Sequence, residues 1–349
     1  MKTYIGALCT FFIGAALVCT SQAKVPTIVT DKEAMTMRAE AETFLSSMPQ
    51  GLQDSQADAI IEAMAGYPEE LRNVRQSRNT VHESSPDVEF VQIEGEGNAR
   101  GIAMSLFKPE KPQPKPLPLL VYLHGGGWTF GSINSCAAFC DAVAATGKAI
   151  VLAVDYSLAP EKPYPKGLED CIEAIKMAYA KAAEWGSCGS LVSVGGDSSG
   201  GNLALAAALS LMEQPIPLRL QSLVLFYPVL RAYNDDSASW HKYARGYGLN
   251  GRIMEVFNKA YIGDLDPTEP LISPAHANDT ALTQLPPMLI INAQRDILCD
   301  QGKEFAQKYP NVTRVEFPGA VHLFITVKGQ STAFGKAVKL TADFLTSNF

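Results

Sequence analysis

Seven cysteines and five histidines are few for a chain of 349 residues, and their scarcity narrows the chemistry before any motif is read. No Cys/His cluster has zinc-ligand spacing, which excludes a structural zinc module, and no metal site is expected. Cys9 and Cys19 fall in an N-terminal leader, leaving Cys136, Cys140, Cys171, Cys188 and Cys299. Five is odd, so at least one thiol is unpaired. Cys136 and Cys140 lie one helical turn apart, which suits packing on one face better than a disulfide. Lysine and arginine form no cluster, and a net charge of −7 gives no electrostatic footprint for nucleic acid or an anionic membrane surface. After residue 18 no stretch approaches the roughly 20 apolar residues that a membrane span needs, so no stable span is expected. There is no internal repeat, and the one biased tract, at residues 108–118, is proline-rich. Proline cannot serve in a central strand, so that tract reads as a surface connection.

What is present begins with a leader. Met1-Lys2-Thr3-Tyr4 precedes an apolar run at residues 5–18, and Ser21-Gln22-Ala23 puts small residues at the −3 and −1 positions of a cleavage site. Residues 1–23 resemble a secretory signal peptide cut after Ala23, which implies a secreted or periplasmic protein. Cys19 invites a lipoprotein reading, but Leu17-Val18 lacks the small residue expected before a lipidated cysteine.

Of the remaining chain, residues 24–86 read as helical, with apolar positions three and four apart over 32–48 and 54–65, and form a cap or accessory layer. From Asp87 the period becomes two, giving strands over 88–93 and 101–107. Short apolar runs follow at 119–123, 149–154, 191–194, 223–226, 288–291 and 313–317. Helical stretches at 135–146, 167–185, 200–213, 302–308 and 332–345 separate most of them. This alternation predicts an α/β domain over 87–349, whose eight-stranded, mostly parallel sheet is covered by helices on both faces. The interval 231–284 is too long for a simple crossover and carries Trp240, Tyr243, Tyr247, Phe257 and Tyr261. It reads as a second cap segment whose aromatics form either cap core or acyl pocket.

The chemistry centres on Gly196-Asp197-Ser198-Ser199-Gly200. A β-branched run precedes it and a strong helix former follows, so strand, tight turn and helix present Ser198 above the sheet edge as a nucleophile. Ser199 N–H, at the start of that helix, can face an oxyanion. His124-Gly125-Gly126-Gly127-Trp128 follows the strand at 119–123. Its glycines let the backbone approach a ligand, and the N–H groups of Gly125 and Gly126 would complete the oxyanion hole. His124 reads as an anchor for that loop.

A serine nucleophile needs an imidazole base oriented by a carboxylate. His322 follows the last strand at the edge where Ser198 emerges, whereas His82, His241 and His276 lie in cap or loop segments and read as surface residues. Asp296 comes soonest after the strand at 288–291, while Asp300, four residues later, suits helix capping.

These pieces, together with Asp155-Tyr156-Ser157-Leu158-Ala159-Pro160-Glu161, Ser273-Pro274 and Gly319 to Phe324, resemble the hormone-sensitive-lipase-like branch of the α/β-hydrolases. That branch holds the bacterial carboxylesterases and the arylacetamide-deacetylase relatives. The resemblance implies ester hydrolysis on small or medium acyl chains by Ser198, His322 and Asp296 beneath a helical cap, with no metal or organic cofactor. The partner is then a small-molecule ester. Trp128, Tyr156, Trp240 and Tyr243 are the candidate substrate contacts, and a homodimer through the terminal strand and helix is expected. The chain departs from the pattern at Ser157, where arginine is usual, at Ser199, where alanine is common, and at Ile297, where proline is usual. An amidase or peptidase using the same triad is the alternative within enzymes. A ligand-binding relative is the alternative outside them, and the presence of His322 argues against it.

Overall fold

The computed structural model describes residues 28–347 except 112 and 215–217, so the expected leader lies outside the described residues. Three helices come first: Asp31–Ser47 (α1), Leu52–Met64 (α2) and Glu69–Arg78 (α3). The first opens on a capping box, in which the Thr30 hydroxyl accepts from Glu33 N–H and the Glu33 carboxylate accepts from Thr30 N–H.

Eight strands then form one sheet: Val88–Glu94 (β1), Ala103–Pro109 (β2), Leu119–Leu123 (β3), Ile150–Asp155 (β4), Val192–Asp197 (β5), Leu223–Phe226 (β6), Met288–Arg295 (β7) and Val312–Val321 (β8). Their order is β1-β2-β4-β3-β5-β6-β7-β8; β2 is antiparallel to both neighbours and every other pair is parallel. The interspersed helices are Ile133–Ala145 (α4), Lys166–Lys181 (α5), Ser199–Met212 (α6), Ala238–Tyr243 (α7), Gly251–Ile262 (α8), Asp279–Gln284 (α9), Cys299–Lys308 (α10) and Ser331–Ser347 (α11).

Continuous apolar runs become strands here because the sheet is covered on both faces. In β3, Leu119, Val121 and Leu123 enter the core shared with α5 and α6, while Leu120 and Tyr122 enter the core shared with α4 and α11. Each such aliphatic contributes about 2 kcal/mol of burial. Helix α6 is buried along nearly its whole length, which makes it the central helix beside β5.

Two expectations shift. The sequence pattern ends the last two strands at 291 and 317, but β7 runs on to Arg295 and β8 to Val321. Their polar ends pair with each other: Gly319 N–H donates to Gln294 Oε1 at 2.9 Å, and Arg295 Nε donates to the Gly319 carbonyl at 2.7 Å. The N-terminal segment, expected as one layer, divides in two. Helix α1 lies along β8 and α11, where Glu40 accepts from Thr332 N–H and Glu33 pairs with Lys336. Helix α2 instead packs on α8, joined by Gln53 to the Gly248 carbonyl and Asn250 N–H, and by Arg252 to Asp54 and Asp58.

Candidate active site

Strand β5 delivers Ser198 at its end, at φ +55° and ψ −117°, a conformation that an ordinary residue adopts only under constraint. The constraint is visible. Ser198 N–H donates to Phe226 O at 2.9 Å, and Ser198 O accepts from Asn202 N and from Val229 N, both at 3.1 Å. A Cβ on Gly200 would lie 2.0 Å from the Leu123 carbonyl oxygen, so the turn closes against β3 only with glycine there.

The structure brings the three expected side chains into one chain of hydrogen bonds. His322 Nε2 lies 3.1 Å from Ser198 Oγ, and His322 Nδ1 lies 2.6 Å from Asp296 Oδ2. The second carboxylate oxygen of Asp296 accepts from Leu298 N–H at 3.0 Å. All three residues are buried, with Ser198 at 6% exposure the most open. Asp300 points elsewhere and accepts from Ser239 N–H of the cap at 2.8 Å. Two residues without a local sequence signal hold the histidine loop. Buried Gln330 donates to His322 O and accepts from Val321 N–H, both at 3.1 Å, and the Tyr227 ring sits 4.3 Å from the imidazole.

The oxyanion loop corrects one expectation. Gly125 N–H is not available for a substrate, because it donates to Asp197 Oδ1 at 3.0 Å, the same oxygen that accepts from Tyr122 OH at 3.0 Å. Asp197 stands in the nucleophile motif with no role legible in sequence. Its burial pushes the carboxyl up to about 6, against the lowering pull of those two donors. Among the described residues, the N–H groups of Gly126, Gly127 and Ser199 have no acceptor. Gly127 at φ +61° lies directly under the Phe257 ring, whose Cγ would be 2.2 Å from a Cβ there, so α8 rests on the loop. The other four histidines are accounted for. His124 is fully buried, stacked on Tyr156 at 4.3 Å, with Nδ1 2.9 Å from the Gly125 carbonyl, and burial depresses its protonation. His82, His241 and His276 meet Asp141, Asp236 and Tyr233.

Three of the expected substrate contacts are packing residues. Trp128 is buried and stacks face to face on Tyr261 at 4.4 Å. Tyr156 is buried and donates to the His124 carbonyl at 2.6 Å. Trp240 is buried in the cap, its indole against Gly251. A ring with both faces covered by protein has none left for a ligand. Tyr243 is half-buried, edge-on to Tyr247, with the Lys242 ammonium 5.1 Å from its ring centre. A groove of about 410 Å³ lies between the turn after α2 and the end of α8, lined by Met64, Pro68, Glu161 and Tyr164 among others, and it includes none of the residues around Ser198. Among the described residues, no group of three or more His, Cys, Asp or Glu is placed to hold a metal ion, and no helix is long and apolar enough to cross a membrane.

Comparison with known proteins adds kinship to this geometry. A family described as alpha/beta hydrolase fold matches residues 120–326. The chain is 26% identical to an esterase of Fusarium pseudograminearum over 76% of its own length and 83% of that protein's. It is 35% identical to an arylesterase of Saccharolobus solfataricus over 59% of its own length and 68% of that protein's. A thermostable esterase from Pseudomonas putida superposes with a TM-score of 0.75 at 25% identity, covering 90% of this chain and 97% of the other.

Proposed function

The chain belongs to the α/β-hydrolase fold family, and from that premise we propose that it is a serine carboxylesterase acting on short- to medium-chain acyl esters through an acyl-enzyme. Relatives named esterase support the reaction class. The observation that carries the residue assignment is the hydrogen-bonded chain from Ser198 through His322 to Asp296.

In this reading Ser198 Oγ attacks the ester carbonyl carbon while its proton passes to His322 Nε2. Asp296 fixes the imidazole through Nδ1–H and offsets the charge that forms on it. The carbonyl electron pair moves onto oxygen, where the N–H groups of Gly126, Gly127 and Ser199 donate to it. Each such donor is worth on the order of 3 kcal/mol in the transition state. Collapse breaks the bond to the alcohol oxygen, which leaves with the proton from His322. Water, deprotonated by the same imidazole, then attacks the acyl carbon; the bond to Ser198 Oγ breaks, Oγ takes the proton back from His322 Nε2, and the acid leaves. The enclosed nucleophile, with Phe257 over the loop, favours compact acyl groups. The leader pattern at residues 1–23 extends the proposal to export, secreted or periplasmic. Pairing of two chains through β8 and α11 completes it, and light scattering measures that state.

The test is hydrolysis of p-nitrophenyl acetate, butyrate, octanoate and palmitate by the purified mature chain, with Ser198→Ala alongside. Turnover that peaks at short acyl groups and disappears in the variant is the expected result. A folded wild-type protein that turns over no ester would defeat the reading.

A further inference from the structure

We propose that Arg75, in the N-terminal helical segment, is a positioning residue for the reaction, holding in place the turn that carries the oxyanion N–H groups. The inference rests on the esterase reading above and on the assignment of Gly126 and Gly127 as donors.

The turn is strained in a way that demands outside support. Gly126, Gly127 and Trp128 follow one another at φ +125°, +61° and +56°, and the third is a bulky residue in the left-handed region. Internal bonds close it only in part: Thr129 N–H and Phe130 N–H both reach the Gly126 carbonyl, at 3.2 and 2.8 Å, and Thr129 Oγ1 donates to Gly127 O at 3.0 Å. The Thr129 carbonyl points away from these, toward α3.

Arg75 meets it there. Its Nε donates to Thr129 O at 2.8 Å and its Nη2 to Ala159 O at 2.7 Å. The two terminal nitrogens also grip Glu161, at 2.7 and 2.9 Å. Ala159 belongs to the neighbouring loop, whose own N–H donates to Trp128 O at 2.9 Å. One planar guanidinium thus ties the oxyanion turn to the segment that runs beside it, in the fork geometry that arginine supplies and lysine does not. The side chain is 22% exposed, so these bonds are largely shielded from water. Burial alone would raise the Glu161 carboxyl, yet the paired guanidinium holds it below the usual range, so the clamp is charged on both sides at neutral pH.

The experiment compares wild type, Arg75→Gln, Arg75→Lys and Arg75→Ala with Arg72→Gln, an exposed arginine of the same helix that pairs with Glu69 and acts on Glu161 only through space. For each, kcat and KM are measured on p-nitrophenyl butyrate, together with affinity for an alkylboronic acid, active sites titrated by an organophosphate, and the melting temperature. Because a misplaced oxyanion turn weakens the transition state more than the ground state, Arg75→Gln is expected to lose about 10- to 100-fold in kcat with KM within about twofold. Its boronate affinity should fall by a similar factor, Arg75→Lys should lie between, and Arg72→Gln should match wild type. Millimolar guanidinium should restore part of kcat to Arg75→Ala. Unchanged kcat and boronate affinity in Arg75→Gln would overturn the proposal. So would a loss of rate accounted for entirely by fewer titratable sites, which would make Arg75 a folding residue alone. A wild-type chain without esterase activity, or an active Ser198→Ala, would be seen before any Arg75 variant is measured; it defeats the underlying reading and takes this proposal with it.

Discussion

The strand ends and the helical cover fix their polar groups by different means. At the strand ends the backbone does the work: β5 turns into α6 against the Leu123 carbonyl, β7 ends one residue before Asp296, and β8 ends one residue before His322. Ser198, Asp296 and His322 each follow directly on a strand, and Gln330 and Tyr227 steady the His322 loop from outside it. In the cover, placement depends on side chains far away in sequence. Gln53 and Arg252 join α2 to α8, and Arg75 joins α3 to the oxyanion turn. Buried polar atoms are left unpaired in both parts among the described residues: Tyr261 Oη and both amide atoms of Asn258 in the cover, His124 Nε2, Trp128 Nε1 and Asn292 Nδ2 at the strand ends. The candidate site thus sits where strands end, and the cover is joined by long-range side-chain contacts.

Three substitutions would break or sharpen that contrast. The largest effect is expected at the strand ends: Asp296→Asn keeps the shape but offers His322 Nδ1 a group that no longer demands its proton, and kcat should fall about 10⁴-fold. Steady-state rates on p-nitrophenyl butyrate, with circular dichroism to establish an unchanged fold, measure it. A loss of less than tenfold would mean that the carboxylate does not orient the base.

The second is Asp197→Asn, which probes the joint between nucleophile strand and oxyanion loop. The folded carboxyl titrates near 6, above its unfolded value near 4, so the native state is favoured while the group is protonated. Its contribution is fully present below about pH 4 and is lost as pH rises through 6, on the order of 3 kcal/mol in all. Urea denaturation of wild type and variant from pH 4 to 8 should therefore show the difference between them changing up to about pH 6 and levelling above it. A difference that does not vary with pH would show that burial does not set this carboxyl.

The smallest effect belongs to the cover. Tyr261→Phe removes a buried hydroxyl that has no partner while keeping the stack on Trp128, and should be neutral or stabilising by about 1 kcal/mol. A thermal melt that shows clear destabilisation would mean that this hydroxyl is paired in solution and helps to hold the cover.

Legibility in the sequence follows the same division. That Ser198, His322 and Asp296 meet is legible in the sequence because each lies beside an apolar run of strand length, and the run tells where the chain emerges from the sheet. The sequence does not single out Gly125, because three successive glycines look alike, and only the position of Asp197 shows which N–H is already taken. Nor does it separate Trp128, Tyr156 and Trp240 from ligand contacts, because an aromatic near a site can face a ligand or another ring. Gln330 and Arg75 give no local signal: Gln330 bonds backbone groups that any residue could provide, and the partners of Arg75, two carbonyls and the Glu161 carboxylate, lie 54 to 86 residues away.

The sequence by itself determined the alternation of strands and helices, the two-sided burial of the sheet and the strand ends at which Ser198, Asp296 and His322 stand. These depend on hydrophobic period and on turn chemistry, which act over a few neighbouring residues. Only the tertiary structure decided which oxyanion N–H groups stay free, which aromatics are walls and which are ligand surface, and how the N-terminal helices attach. Those outcomes depend on hydrogen bonds and ring contacts between segments tens to hundreds of residues apart, where geometry rather than residue type selects the partner.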